Sequence, residues 1–220
     1  METTGDKWLV RRLQMVQRDL RARGIADEAV LRAFMEIPRE RFLPESCLAE
    51  AYDDHPLPIG HGQTISQPLV VAMMVRELAC RPGHRVLDVG AGSGYQTAIL
   101  SRLVCHVFAV ERINELTEQA IDALAGIGAD NVTVCTTDGT LGLPEEAPFD
   151  GIICGAAAPD VPPSWLDQIA DGGRIVLPVG DRHEQMLIVI QRSGDAFTRR
   201  EVCPVRFVKL IGQEGWREPE

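Results

Sequence analysis

No apolar run in this chain approaches the ~18 residues that a membrane-spanning helix needs. The longest candidates, such as Met186 to Ile190, are strand-sized. The first seven residues are polar, so no secretory signal is expected and the cytoplasm is the expected compartment. Closely spaced cysteines are also missing. Cys47, Cys80, Cys105, Cys135, Cys154 and Cys203 lie 19 or more residues apart, which excludes a C-x-x-C motif and makes a metal site unexpected. Cys105, Cys135 and Cys154 fall in or beside apolar strand-like runs, where a reduced thiol acts as a small hydrophobe. Positive charge is in deficit: 22 Lys and Arg against 32 Asp and Glu give a formal net charge of −10, which argues against a phosphate-backbone partner. One local exception is residues 7–23, where Lys7, Arg11, Arg12, Arg18, Arg21 and Arg23 face only Asp19. It reads as the solvated face of an amphipathic helix.

With 220 residues, 45% of them hydrophobic, the chain can bury a substantial core as a single domain. Residues 1–80 read as a helical, loop-rich appendage, and residues 81–220 as an α/β core. Leu9, Leu13, Val16 and Leu20 predict one helix, stopped by Gly24. Asp27 is the expected N-cap of a second, which ends at Pro38 and turns Val30, Leu31, Phe34 and Ile37 inward. Residues 42–68 hold four prolines and two glycines, and read as a long functional loop. A helix over Pro68–Leu78 follows.

Strands are then expected at Arg85–Val89, His106–Glu111, Val132–Thr136, Phe149–Cys154, Arg174–Pro178, Met186–Gln191 and about Thr198–Val205. Helices alternate with them at Tyr95–Leu103, Glu115–Ala125 and Pro163–Ala170. Continuous apolar strands joined by helices imply a mostly parallel, twisted sheet covered on both faces. Ser193-Gly194-Asp195 gives hairpin chemistry, so the seven-stranded sheet should end antiparallel. The appendage is expected over the sheet's carboxyl edge, where such sheets bind ligands.

Val86 to Tyr95 runs Val-Leu-Asp-Val-Gly-Ala-Gly-Ser-Gly-Tyr, a buried-type strand entering a glycine loop. A dinucleotide fingerprint requires G-x-G-x-x-G, and its last glycine is here Tyr95. An NAD-dependent oxidoreductase is therefore disfavoured. The spacing Asp88-x-Gly90-x-Gly92-x-Gly94 instead resembles the S-adenosylmethionine loop of Rossmann-like methyltransferases. At the end of the next strand, Glu111 can accept both ribose hydroxyls or simply face solvent, and Ile113 can flank adenine or pack into the core. Asp138-Gly139 ends the third strand, where a carboxylate can reach the adenine amine or serve a generic turn.

The segment Leu57-Pro-Ile-Gly-His-Gly-Gln-Thr-Ile-Ser-Gln-Pro68 lies just ahead of a helix N-terminus. A helix start offers free N–H donors to an anion, and the Ser66 hydroxyl could join them or simply cap the helix. Here the resemblance becomes specific. Gly62–Pro68, Val86–Tyr95, Ala147–Pro159, Asp171–Gly180 and Ile37–Phe42 resemble the protein-L-isoaspartate O-methyltransferase family over about residues 10–211.

That resemblance implies methyl transfer from S-adenosylmethionine to the α-carboxylate of L-isoaspartyl residues in damaged proteins and peptides. The ester lets a succinimide re-form, and hydrolysis returns some normal aspartyl linkage. It also implies that Ser66 is the active-site serine, orienting the acceptor rather than attacking it. Gln63, Thr64, Ile65 and Ser66 fall in the family's cofactor-contact stretch, Ser93 in the glycine loop, Glu111 and Arg112 at the ribose end, and Asp138 and Gly139 at the adenine end. Val71 and Ile211 depart from the pattern, where relatives carry histidine and threonine. Val205–Leu210 is expected to close over cofactor and peptide. A monomer is expected, although the basic N-terminal helix offers a route to oligomers. Two alternatives remain: methylation of another acceptor, and a non-catalytic module that only binds peptides.

Overall fold

The computed structural model describes residues 4–217. Helix α1 (Thr4–Met15) continues through a π turn at Val16–Leu20 and a tight turn at Arg21–Arg23, ending at Gly24 with φ +95°. The predicted apolar face holds only in its second half. Val16 and Leu20 are buried, whereas Leu9 and Leu13 are 46% and 39% exposed. The π turn adds a residue and shifts the helical phase. Arg12 also turns inward, its Nε donating to Tyr52 Oη at 2.7 Å and its Nη2 to Glu40 Oε1 at 3.2 Å. Nor is the basic stretch merely a solvated face. Arg11, Arg12, Arg18, Arg21 and Arg23 pair with Asp53, Glu40, Asp19, Glu28 and Asp54.

Helix α2 (Glu28–Glu36) is capped by Asp27, whose side chain accepts from Ala29 N and Val30 N, and it buries Val30, Leu31 and Phe34. The expected long loop contains ordered elements. Short 3-10 turns at Arg39–Phe42 and Glu45–Glu50 precede a hairpin of β1 (Leu57–Gly60) and β2 (Gln63–Ile65). Its turn residues His61 and Gly62 both have positive φ, +51° and +71°, as a primed hairpin turn requires. Helix α3 (Pro68–Leu78) starts with proline, whose missing N–H costs nothing there.

The alternating half follows as β3 (Arg85–Val89), α4 (Tyr95–Ser101), β4 (His106–Glu111), α5 (Asn114–Ala125), β5 (Val132–Thr136), β6 (Phe149–Cys154) and α6 (Pro163–Gln168). Strands β7 (Ile169–Gly180), β8 (Gln185–Ser193) and β9 (Ala196–Val205) complete it. The limits of β3 to β6 are those read from the sequence. Strand β7 starts earlier than expected, because Ile169 pairs with Phe149 across an irregularity in the β6–β7 register.

The sheet order is β5-β4-β3-β6-β7-β8-β9. Strands β3 to β7 are parallel, and β7, β8 and β9 form an antiparallel meander turning at Gly194. The winding reverses between β3 and β6, so a crevice opens beyond their carboxyl ends, where open α/β sheets bind ligands.

Side chains alternate across each strand. Val86, Val107, Ile153, Val176 and Leu187 face a core shared with α2, α3, α4 and α5. Leu87, Val110, Ile152, Ile175 and Ile188 face the other side with Trp165 of α6. Much of the N-terminal region thus forms a layer on one sheet face, and the β1–β2 hairpin brings Gln63 and Thr64 to the crevice beside Gly90. Cys47 and Cys154 are buried, but Cys105 is exposed, because it sits in the turn before β4 rather than in the strand. Among the described residues no helix is long and apolar enough to cross a membrane.

Candidate active site

Beyond Val89 the chain turns sharply, and Gly90 N and Ala91 N both donate to Val110 O, at 2.8 and 3.1 Å. Two loop glycines are required by protein packing as much as by any ligand. A Cβ on Gly94 would lie 3.2 Å from Ala120 Cβ of α5, and one on Gly92 would lie 3.2 Å from Ile59 Cδ1 of the hairpin. Both also have positive φ, +84° and +53°. Gly94 therefore serves the close approach of α4 to α5.

Asp88 is fully buried beneath this loop and does not line the cleft. Its carboxylate accepts from Gln96 Nε2 at 2.7 Å and Thr97 Oγ1 at 2.6 Å, locking α4 onto β3. Burial pushes its pKa up to about 6, against the pull of those two hydrogen bonds and with a push from the charge of Glu111. Glu111 reaches the cleft wall and is equally tied to backbone. Its Oε2 accepts from Gly92 N at 3.0 Å, and its Oε1 from Arg112 N and Ile113 N at 2.8 and 3.0 Å.

The cleft brings together Gln63, Thr64, Gly90, Gly92, Glu111, Arg112 and Gly139. Gly139 lies flat on the sheet, since a Cβ there would be 2.7 Å from Val89 Cγ1. A contiguous hollow holds Ile65, Ser66 and Ser93, sharing Thr64, Gly90 and Gly92 with the cleft. Asp138 lies apart, in an adjoining hollow with Arg112 and Ile211. Its Oδ1 accepts from Thr140 N and Thr140 Oγ1, and its Oδ2 from Gln213 N at 2.8 Å. Oδ1 thus caps the turn after β5, and Oδ2 joins that strand's exit to the C-terminal segment. Of the two departures from the family pattern, Val71 lines the Ser66 hollow and Ile211 the main cleft.

Sequence reasoning missed Gly155 and Ala156, which line the cleft opposite the glycine loop. A Cβ on Gly155 would stand 3.1 Å from Gly90 O. The small-residue run just after β6, beside the winding reversal, was the available signal. The C-terminal segment closes the remaining side with Val208 to Ile211. It is tied down by Ala157 N to Val208 O, Leu210 N to Ala157 O, and Trp216 Nε1 to Ala157 O, at 2.7, 2.8 and 3.1 Å.

Ser66 sits between β2 and α3, half-buried, and among the described residues its hydroxyl has no hydrogen-bond partner. It does not cap α3. Gln67 holds the N-cap position without a side-chain bond, and Leu69 N donates instead to Asp54 Oδ1 at 3.2 Å. The helix start is thus already served by a carboxylate and is a poorer anion site than the sequence suggested. Ser66 also lines a groove of about 440 Å³, walled by Gln67 and Val70 on one side and by Pro204 to Val208 on the other.

A mostly parallel sheet with a winding reversal, a glycine loop and an acidic strand end at the crevice defines the class of Rossmann-like methyltransferases. A family profile described as protein-L-isoaspartate(D-aspartate) O-methyltransferase (PCMT) matches residues 11–215. The chain belongs to this family. It is 48% identical over 205 residues to a protein-L-isoaspartate O-methyltransferase of Methanoregula boonei, covering 93% of this chain and 94% of that one. To that of Syntrophotalea carbinolica it is 45% identical over 214 residues, covering 97% and 98%. A Plasmodium falciparum chain assigned to the same enzyme type and crystallised with S-adenosyl-L-homocysteine superimposes with a TM-score of 0.81 at 26% identity, covering 91% of this chain and 98% of that one.

Proposed function

We propose that the chain transfers a methyl group from S-adenosylmethionine to the free α-carboxylate of L-isoaspartyl residues in damaged proteins and peptides. The observation that carries the site assignment is the unpartnered Ser66 hydroxyl at the junction of the cofactor cleft and the wide groove. A donor left without a protein partner between the two is available to a substrate oxygen.

The cleft fits the methyl donor. Glu111 offers an anchored carboxylate to ribose hydroxyls, and Gly90 and Gly155 leave bare backbone opposite each other. Gln63, Thr64 and Arg112 wall the cleft, and Ile65 and Ser93 line the contiguous hollow. We assign Asp138 and Gly139 to the adenine end, Asp138 acting from the adjoining hollow. Asp88 acts from beneath by holding the loop. S-adenosylmethionine, when bound, supplies an electrophilic methyl group on a sulfonium.

The acceptor carboxylate, with an ordinary pKa near 4, is ionised at neutral pH and needs no general base. Its oxygen forms the new bond to carbon as the sulfur–carbon bond breaks, and the sulfur keeps the electron pair as a neutral thioether. The protein's task is alignment and exclusion of water from the anion. Ser66 orients one carboxylate oxygen and leaves the other to react.

We assign action as a monomer, and as a single domain in which residues 1–80 and 81–220 share one hydrophobic core. Six free cysteines agree with a reducing cytoplasm. The deciding experiment offers labelled methyl donor with an isoaspartyl peptide and its normal aspartyl twin. Labelling of the first alone is expected; equal labelling of both, or of neither, rules out this acceptor.

A further inference from the structure

Arg39 has no exposed surface and, among the described residues, no carboxylate within ion-pair distance. Its guanidinium is spent on carbonyls. Nε donates to Ala51 O at 2.9 Å, Nη1 to Ser66 O at 3.0 Å, and Nη2, more weakly, to His55 O at 3.5 Å. Its central carbon lies 5.1 Å from the ring centre of Tyr95, the first residue of α4 behind the glycine loop. Burying a cation without an anion is costly, and the fold retains it where a neutral residue would fill the space. The residue it grips is Ser66, which belongs to neither β2 nor α3. Next to it, Asp54 takes Gln67 Nε2 at 2.7 Å and Leu69 N at 3.2 Å. The Ser66–Gln67 dipeptide is therefore clamped by a cation on one side and an anion on the other.

We infer that Arg39 is a positioning residue for methyl transfer. Its guanidinium fixes the Ser66 carbonyl, and through that peptide unit the direction of the Ser66 hydroxyl, while its cation–π contact with Tyr95 holds this segment in register with the glycine loop. The inference rests on the reading of Ser66 as the group that orients the acceptor. A planar fork can serve diverging carbonyls at once; a lysine ammonium on a flexible stem keeps the charge but loses that geometry. Misplacement of an orienting group on the ångström scale lowers turnover without touching the cofactor seat.

The test is a double-mutant cycle of Arg39→Lys and Ser66→Ala, read as kcat on an isoaspartyl peptide, the dissociation constant of S-adenosylhomocysteine, and melting temperature. Arg39→Lys is expected to lower kcat about tenfold with cofactor affinity kept within about twofold. In the Ser66→Ala background the same change should lower kcat less than about threefold, because the group it positions is gone. An equal factor in both backgrounds, or a loss that falls on cofactor affinity, overturns the inference. If Ser66→Ala alone leaves kcat unchanged, the reading of Ser66 falls first and takes the inference with it. Should Arg39→Lys fail to fold, Arg39→Ala assayed with added ethylguanidinium decides the matter. Recovery of kcat only when Ser66 is present supports positioning; no recovery, or recovery in both backgrounds, overturns it.

Discussion

In the cofactor half of the site, backbone N–H groups are tied down by carboxylates: Glu111 takes Gly92, Arg112 and Ile113, and Asp138 takes Thr140 and Gln213. In the acceptor half Asp54 takes Leu69 N in the same way, but a device of opposite sign is added. Carbonyls of Ala51, His55 and Ser66 are tied down by the buried Arg39 cation. Each half is thus held by bonds internal to the protein, which limits the reorganisation left for the reacting complex. The Arg39 cation also stands behind the proposed seat of a carboxylate, bonded to the carbonyl of Ser66.

Three measurements would break or sharpen this contrast. The largest effect is expected from Glu111→Ala, which frees three loop amides and removes the ribose acceptor. Loss of charge-assisted hydrogen bonds should weaken S-adenosylhomocysteine binding about a hundredfold, measured by calorimetry. Unchanged affinity would remove Glu111 from the cofactor half. Next comes Ser66→Ala, expected to lower kcat about twentyfold with cofactor affinity intact, as for loss of one hydrogen bond to a charged group. Weaker cofactor binding with full turnover at saturation would move Ser66 across the divide.

The smallest effect concerns pH. The folded pKa of Asp88 is raised from 3.8 to about 6, so the native state binds its proton more tightly than the unfolded chain does. Stability from this group is therefore complete below the unfolded pKa near 4 and is lost as pH rises through about 6. In urea titrations, the stability of the wild type relative to Asp88→Asn should grow as pH falls from 7 to 4.5. A flat difference would mean that Asp88 is not desolvated.

The cofactor half was far more legible in the sequence than the acceptor half. Continuous apolar runs mark β3 to β6 to the residue, and Asp88, Glu111 and Asp138 stand at or near strand ends that topology alone brings together. Gly155 and Ala156 escaped notice because their meeting with Gly90 depends on the reversal between β3 and β6. The first turns of α1 were misphased because a π turn and an inward arginine leave no periodic trace. Arg39 is one of two arginines in the segment Ile37–Phe42, and nothing local distinguishes a cation bound for three distant carbonyls from one bound for water. The β1–β2 hairpin was more readable than it was read, since Leu57 and Ile59 alternate ahead of His61-Gly62.

The groove beside Ser66 has one further consequence. With α3 and the hairpin segment on one side and Pro204 to Val208 on the other, the reacting position lies in a trench rather than on an open face. A polypeptide can lie along such a trench only after shedding its own neighbours on both flanks. Isoaspartate within a rigid helix or sheet would be passed over, and the same lesion in a frayed end or slack loop would be reached. Under the proposed function, the trench makes slackness of the victim a condition of rescue, alongside the chemical identity of the lesion.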